Sequence, residues 1–163
     1  MVNWYRRTMM AGRPPRAILI TGGSAGIGRA AALMFAAMGD HVAVVARRTD
    51  LLEALAQEAE REKLPGQILP LTADVTDPAA IQRAVALALA EFNRLDVLVA
   101  GAGVGHRGAL ADAAWRDLET VLRTNVDGVL HSVRAAVPAM RASGGGQIVL
   151  LSSILGPVPA PYA

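Results

Sequence analysis

The sequence has 163 residues, 53% of them hydrophobic and 4% aromatic, with a formal net charge of +2. A chain of this length fits one domain that buries roughly two thirds of its unfolded surface. It contains no cysteine, which excludes disulfides and thiolate metal sites. No apolar run reaches the ~20 residues that a transmembrane helix needs. We therefore expect a soluble, cytoplasmic protein with no metal ligands and no membrane partner.

The first 16 residues are basic and carry four arginines: Arg6, Arg7, Arg13 and Arg16. One interpretation is an arm that binds nucleic acid or directs the protein to an organelle. We favour the alternatives of a flexible extension or a start codon assigned too early, since Met9 and Met10 lie just before the first predicted strand. We predict a flexible extension over 1–16, a folded domain over 17–163, and no nucleic-acid partner.

Beyond the extension, strand patterns and helix patterns alternate along the chain. The predicted strands are 17–21, 41–46, 67–73, 95–103 and 145–153. The predicted helices are 29–40, 49–63, 77–92 and 113–142. Because the strands are apolar on both faces, the pattern is typical of a parallel sheet covered by helices on both sides. With right-handed crossovers this predicts a doubly wound α/β fold.

A glycine-rich loop separates the first predicted strand from the first helix. Glycines at positions 22, 26 and 28 follow the strand and open the helix. Such a tight turn requires glycine for steric reasons alone, but glycines at this place also let the backbone approach a pyrophosphate, whose charge faces the helix N-terminus. We therefore predict that the loop binds a nucleotide. The predicted contacts are Gly22, Ser24, Gly26, Ile27 and Gly28.

The stretch TGGSAGIG, Thr21 to Gly28, has the spacing Gly-x-x-x-Gly-x-Gly and resembles the cofactor loop of the short-chain dehydrogenase/reductase family. The resemblance continues through later motifs, from about Ala17 to Gly156. It implies a Rossmann fold of seven strands, of which the first five are present. It also implies reversible hydride transfer between a nicotinamide cofactor and a small-molecule carbonyl or secondary alcohol.

Two arginines, Arg47 and Arg48, follow the second predicted strand, and no carboxylate occurs before Asp50. A carboxylate at this place would bind the ribose hydroxyls of NAD, whereas a guanidinium suits the 2′-phosphate of NADP. Two solvated loop arginines are the alternative interpretation. Beside the glycine loop, the pair favours NADP(H) over NAD(H), and it argues against a methyltransferase that uses S-adenosylmethionine.

The segment after the third predicted strand reads ADVTD. The resemblance implies that Asp74 accepts a hydrogen bond from the adenine amino group and that Val75 lies beside the ring. A helix cap is the structural alternative, with Thr76 or Asp77 capping the third helix. The two interpretations use different residues and are compatible.

The fourth predicted strand departs from the family pattern. The family has an Asn-Asn-Ala-Gly type motif there, and Ala100 and Gly101 replace both amides. Gly101 still permits close approach to the cofactor. We expect the missing amide to remove a polar tie between strands, which costs ~1 kcal/mol.

The long fourth helix carries Asn125 in its interior, where asparagine is a mediocre helix former. The resemblance implies that Asn125 marks a local distortion and holds a water of a proton relay; a harmless exposed residue is the alternative. It also implies that the parent is a homo-oligomer that uses this helix, within 111–142. Apolar residues at three- and four-residue spacing predict a stripe in the core. They are Trp115, Leu118, Leu122, Val126, Val129, Val133, Val137 and Met140.

The resemblance assigns the second serine of the pair after the fifth strand, Ser153, to the active site. Its hydroxyl would bind the substrate carbonyl and stabilise oxyanion character. The alternative is a serine that binds loop backbone.

The family's general acid is a tyrosine about thirteen residues beyond this serine, with a lysine four residues later that lowers the tyrosine pKa. The only tyrosines here are Tyr5 and Tyr162, and the only lysine is Lys63, so no such pair exists. We expect the pair to fall beyond Ala163 and the chain to be an apparently truncated N-terminal portion with little reductase turnover. A non-catalytic nucleotide-binding or interaction module and an inactive truncated product stay open.

Overall fold

The computed structural model describes residues 13–153, in which five strands form one parallel sheet. The strands are β1 (Ala17–Thr21), β2 (His41–Ala46), β3 (Ile68–Thr72), β4 (Val97–Ala100) and β5 (Gln147–Leu150). The helices are α1 (Gly26–Ala37), α2 (Thr49–Arg61), α3 (Pro78–Phe92), α4 (Trp115–Leu122) and α5 (Gly128–Ala142). A 3₁₀ turn covers Leu110–Asp112, and a π-helical turn covers Arg123–Asp127. Tyr5, Tyr162 and Gly156 lie outside the described residues.

The strand order is β3-β2-β1-β4-β5, and every neighbouring pair is parallel. Thr21, the last residue of β1, pairs with Val45 on one side and with Ala100 on the other. The carboxyl ends of the strands therefore meet along one edge of the sheet. This confirms the predicted doubly wound, Rossmann-like α/β fold.

Within the described residues, apolar clusters cover both faces of the sheet. Ile18 and Ile20 of β1 pack with residues of α1 and α2. Leu19, between them in sequence, packs with residues of α3 and α5 on the opposite face. Successive strand side chains point to opposite faces, so a strand covered on both sides must be apolar throughout. Across residues 13–153, no helix is long and apolar enough to span a membrane.

The start of α3 shows the predicted cap. The Asp77 carboxylate accepts hydrogen bonds from the amides of Ala79 and Ala80, at 2.8 and 3.1 Å, and Pro78 occupies the first turn. Proline suits this position because its missing N–H would have no partner inside the helix. Capping by Asp77 leaves Asp74 available for the cleft described below.

The predicted long helix is three segments, because the π turn separates α4 from α5. Part of the predicted core stripe is therefore wrong. Met140 is buried, but Trp115 is 71% exposed, Leu122 54% and Val126 49%. A stripe at a fixed period assumes one uninterrupted helix, and a π turn adds a residue that rotates the segment before it. In addition, α4 has no buried residue.

Residues 13–16, at the end of the predicted extension, contact the start of β2. The carboxylate of Asp40, fully buried at the start of β2, accepts hydrogen bonds from the guanidinium groups of Arg13 and Arg16. A buried carboxylate is stable only when it is paired and hydrogen-bonded. The predicted boundary at residue 17 therefore cuts through an ion-pair cluster of the domain.

Candidate functional site

A cleft of about 770 Å³ opens at the carboxyl ends of the strands, where ligands bind in open α/β sheets. Segments that follow all five strands line it. The twelve residues predicted from the sequence all face this cleft: Gly22, Ser24, Gly26, Ile27, Gly28, Arg47, Arg48, Asp74, Val75, Gly101, Asn125 and Ser153. The structure thus brings together residues that are as much as 131 positions apart in the chain, from Gly22 to Ser153.

The glycine loop packs tightly against the end of β4. Gly22 has φ +77°, and a Cβ there would lie 2.6 Å from the carbonyl oxygen of Gly101. A Cβ at Gly28 would lie 2.6 Å from the carbonyl oxygen of Gly22. No side chain caps the start of α1, and its first turn holds no acidic residue. The first N–H groups of α1 are therefore oriented to receive an anion.

Thr21 supplies a polar tie between β1 and the segment after β4. Its side-chain oxygen accepts hydrogen bonds from the amides of Gly101 and Ala102, at 3.2 and 3.4 Å. Thr21 is 1% exposed, so these bonds are shielded from water. Thr21, to which the sequence assigned no role, thus compensates in part for the polar contact that we expected to be lost where Ala100 and Gly101 replace the family's two amides.

The arginines after β2 form a basic corner of the cleft. Arg48 donates from Nη2 to the hydroxyl oxygen of Ser24 at 3.0 Å, which connects it to the glycine loop. Arg47 Nη1 lies 3.9 Å from Asp74 Oδ2. Both arginines are exposed, so the guanidinium N–H groups that make no contact here are accessible to a ligand.

Asp74 has one carboxylate oxygen fixed by its own loop. Oδ1 accepts hydrogen bonds from the amide and the hydroxyl of Thr76, both at 2.9 Å. Oδ2 faces Arg47, and Asp74 as a whole lines the cleft. The loop therefore presents one acceptor oxygen in a set direction, as a site for an exocyclic amino group requires.

Val75 is held by α5, a contact that the sequence analysis missed. A Cβ on Gly128 would lie 2.6 Å from Val75 Cγ2, so the helix approaches this side chain closely. His131 Nδ1 lies 2.9 Å from the carbonyl oxygen of Val75. Gly128 and His131 are one turn apart on the same face of α5. Nothing in that spacing indicates Val75, which is 56 positions earlier in the chain.

Asn125 lies in the π turn, beside the loop that follows β4. Its side-chain oxygen accepts from the Val104 amide and its side-chain nitrogen donates to the Val104 carbonyl, both at 2.9 Å. An amide side chain can make two bonds more than these. Asn125 therefore holds the loop in place and keeps hydrogen-bonding capacity toward the cleft.

Ser153 is exposed and lines the cleft after β5. The Leu151 amide donates to the Ala100 carbonyl at 3.0 Å, which carries the pairing of β4 with β5 up to the serines. Lys63 lies at the end of α2 in the left-handed region, at φ +51°, and it is absent from the cleft lining. Of the family's catalytic residue types, the described part of the cleft thus presents serine and asparagine.

Comparison with known proteins identifies the family. The sequence model described as short chain dehydrogenase matches residues 16–163. The chain belongs to the short-chain dehydrogenase/reductase family. Among curated members of the family, dehydrogenase/reductase SDR family member 7B of Bos taurus is 33% identical over 166 residues, covering 99% of this chain. The chain spans half the length of that relative.

Two solved structures of dehydrogenases share the fold. The alcohol dehydrogenase of Thermococcus sibiricus, complexed with 5-hydroxy-NADP, superposes with a TM-score of 0.85 at 28% identity and covers 91% of this chain and 63% of its own. A xylitol dehydrogenase with bound NAD⁺ gives 0.84 at 27% identity, covering 90% of this chain and 56% of its own. Proteins that share this fold thus include one solved with an NADP derivative and one solved with NAD⁺.

Proposed function

We propose that the chain binds NADP(H) in the cleft and contributes to an oxidoreductase that interconverts a carbonyl and a secondary alcohol. The observation that carries the proposal is the glycine loop at the start of α1, with Arg48 hydrogen-bonded to Ser24 beside it. The loop offers backbone N–H groups to a pyrophosphate, and the arginines offer positive charge to a further phosphate.

The residues present fit a nicotinamide dinucleotide. At Gly22 and Gly28 a Cβ would collide with backbone atoms, so these positions require glycine. Because glycine has no side chain, the loop surface there is open to the pyrophosphate. Arg47, Arg48 and Asp74 lie at the ends of β2 and β3, so they would hold the adenosine half. Asn125 and Ser153 lie on the β4 and β5 side, so they would face the nicotinamide half. When bound, the cofactor supplies or receives hydride at C4 of its nicotinamide.

The chain's own groups would act on the substrate carbonyl. The hydroxyl of Ser153 would donate a hydrogen bond to the carbonyl oxygen and stabilise its developing negative charge. Asn125, with its side chain tied to Val104, would hold a water that passes a proton. Family membership and the position of these residues around one cleft support both roles.

The preference for NADP(H) rests on Arg48 more than on Arg47, because Asp74 offsets part of the Arg47 charge. We expect adenosine 2′,5′-bisphosphate to bind at least about tenfold more tightly than adenosine 5′-monophosphate, which differs only in lacking the 2′-phosphate. Arg48→Gln should abolish most of that ratio, since a charge-assisted hydrogen bond contributes about 1.5–3 kcal/mol and ~1.4 kcal/mol is tenfold. Isothermal titration calorimetry measures the affinity of each ligand for the wild-type chain and for Arg48→Gln.

The control is Arg134→Gln, which removes an exposed arginine of α5 outside the cleft. It should keep the wild-type ratio, because the screened field of a distant surface charge is weak. Equal affinity of the wild-type chain for the two ligands would overturn the NADP(H) preference and leave nucleotide binding intact.

The 163-residue chain alone should oxidise NADPH with carbonyl substrates at less than about 1 s⁻¹, the low end of typical enzymes. None of its tyrosines is followed by lysine four positions later, so the usual general acid is missing. Absorbance at 340 nm with a panel of ketones measures the rate. A faster rate would show that another group transfers the proton.

A binding-only module is the second candidate, because the glycine loop and Arg48 would hold a nucleotide whether or not a reaction follows. The two candidates differ in the response to Ser153→Ala. For a reductase, slow carbonyl-dependent oxidation of NADPH falls at least about tenfold in this variant. For a binding module, no carbonyl-dependent oxidation is detected in either protein.

A further inference from the structure

His131 is a histidine of α5 with a defined backbone partner and no part in the chemistry proposed above. Its Nδ1 lies 2.9 Å from the carbonyl oxygen of Val75, 56 residues earlier in the chain. A carbonyl oxygen only accepts hydrogen bonds, so Nδ1 carries a proton and donates it. His131 is half-buried, which shields the bond from competing water.

The same face of α5 also fixes the side chain of Val75. Gly128, three residues before His131, leaves room for Val75 Cγ2, which would lie 2.6 Å from a Cβ at that position. Val75 is 6% exposed and still lines the cleft. With the side chain packed on Gly128 and the carbonyl bound by His131, the peptide plane that follows Val75 has one orientation.

The neighbouring groups of this loop depend on that orientation. The peptide plane after Val75 contains the Thr76 amide, which donates to Asp74 Oδ1 at 2.9 Å. Rotation of the plane would break this bond and leave Asp74 Oδ1 held by the Thr76 hydroxyl alone, which weakens the orientation of the carboxylate. His131 therefore acts on Asp74 through Val75 and Thr76, although His131 itself is absent from the cleft lining.

We propose that His131 is a positioning residue for adenine: its bond to Val75 sets the Asp74–Val75 edge against which the base lies. The inference rests on the proposed function, because it assumes that adenosine occupies the β2 and β3 side of the cleft. If a ligand binds only one orientation of a loop, its apparent affinity is proportional to the fraction of molecules whose loop has that orientation. Loss of the His131 bond lowers that fraction.

The test compares ligands with and without adenine. His131→Phe keeps a ring of similar size and removes the donor. It should weaken the binding of adenosine 5′-monophosphate by about three- to tenfold, as expected for one buried hydrogen bond. The binding of ribose 5-phosphate, which keeps the sugar phosphate and lacks the base, should change less than about twofold. Titration by NMR measures both affinities.

His131→Asn should restore wild-type affinity for adenosine 5′-monophosphate, because its amide nitrogen is as many bonds from Cα as Nδ1 is. His131→Gln places its donor one bond further out and should resemble His131→Phe. If His131→Phe does not fold, His131→Gln allows the same comparison of adenosine 5′-monophosphate with ribose 5-phosphate. His41→Phe is the matched control, because this histidine stacks on Phe92 at the opposite end of β2.

The outcomes separate this inference from the proposed function. A wild-type chain that does not bind adenosine 5′-monophosphate overturns the proposed function. A wild-type chain that binds it as tightly as His131→Phe and His131→Gln do overturns the role of His131 alone. Equal losses for both ligands overturn that role too, because they indicate general damage to the cleft rather than to the adenine edge.

Discussion

Replacing Gly22 with alanine is expected to lower the free energy of unfolding by about 3 kcal/mol and to weaken NADPH binding more than tenfold. Gly22 has φ +77°, where a residue with a Cβ is less stable by about 1–2 kcal/mol. The new Cβ would lie 2.6 Å from the Gly101 oxygen and 2.7 Å from the Ala102 nitrogen. Forcing backbone apart in a packed region adds about 1–3 kcal/mol.

The expected loss of NADPH affinity has the same origin. The atoms that must move belong to the ends of β1 and β4, which form the floor of the cleft. Thr21 would have to release the Gly101 and Ala102 amides for this movement, so the polar tie between the strands would be lost as well. Urea unfolding and NADPH fluorescence titration measure the two effects.

Gly26→Ala is the matched control for the stability effect. Gly26 also has positive φ, at +57°, but a Cβ there meets nothing within 4 Å. Its destabilisation should be only the conformational part, about 1 kcal/mol. Similar losses in the two variants would mean that the approach of Gly22 to Gly101 is unimportant for stability.

The sequence predicts the sheet well because a parallel strand buried on both faces leaves an apolar run with sharp ends. The bounds of β1 and β2 agree with the predicted 17–21 and 41–46, whereas β4 and β5 end three residues before the predicted 103 and 153. Since the site lies where parallel strands end, strand ends predicted to within three residues still bring the candidate residues to one edge. Family motifs then assign chemistry to that edge.

The contacts that the sequence could not predict join residues far apart in the chain. His131 and Val75 are 56 positions apart, and neither belongs to a motif that names the other. Trp115 and Leu122 fit a core stripe by spacing, yet both are exposed, because the π turn separates α4 from α5 and α4 has no buried residue on any face. Helical periodicity predicts the buried face of a regular helix. The prediction fails across a π turn, because the inserted residue shifts the period.

The arginines before β1 show the same limit. Composition marks the segment as basic and suggests an extension, but Arg13 and Arg16 are specific partners of one carboxylate. Asp40 gives no sign of this in the sequence, because it follows Gly39 as a turn residue would. Its burial is what requires the two cations.

Asp40→Asn is expected to lower the free energy of unfolding by about 2–3 kcal/mol at pH 7, since it removes the charge that both arginines face. Asp40 Oδ1 accepts from Arg13 Nη1 at 2.6 Å and from the Arg16 amide at 2.9 Å. Oδ2 accepts from Arg13 Nη2 at 2.8 Å and Arg16 Nη2 at 2.9 Å. Asparagine keeps the shape and one acceptor, so the variant should still fold.

The destabilisation should depend on pH in a defined direction. Burial alone would raise the pKa of Asp40, but the hydrogen bonds from Arg13 and Arg16 outweigh it and lower the pKa from 3.8 to about 2. Because the folded protein binds this proton less readily than the unfolded chain, the carboxylate stabilises the fold fully above about pH 4. The contribution, about 2 kcal/mol, is lost as the pH falls to about 2.

Urea unfolding of the wild-type chain and Asp40→Asn from pH 7 to pH 2 measures this dependence. The difference in unfolding free energy should be constant from pH 7 to about pH 4 and then shrink, because protonated aspartic acid and asparagine are both neutral. Asp50→Asn, at an exposed position in the first turn of α2, should show no such convergence. Parallel curves for wild type and Asp40→Asn down to pH 2 would mean that the charge of Asp40 does not hold the arginines, and that other contacts, such as the hydrogen bond from the His41 amide to the Arg16 carbonyl, attach residues 13–16 to the sheet.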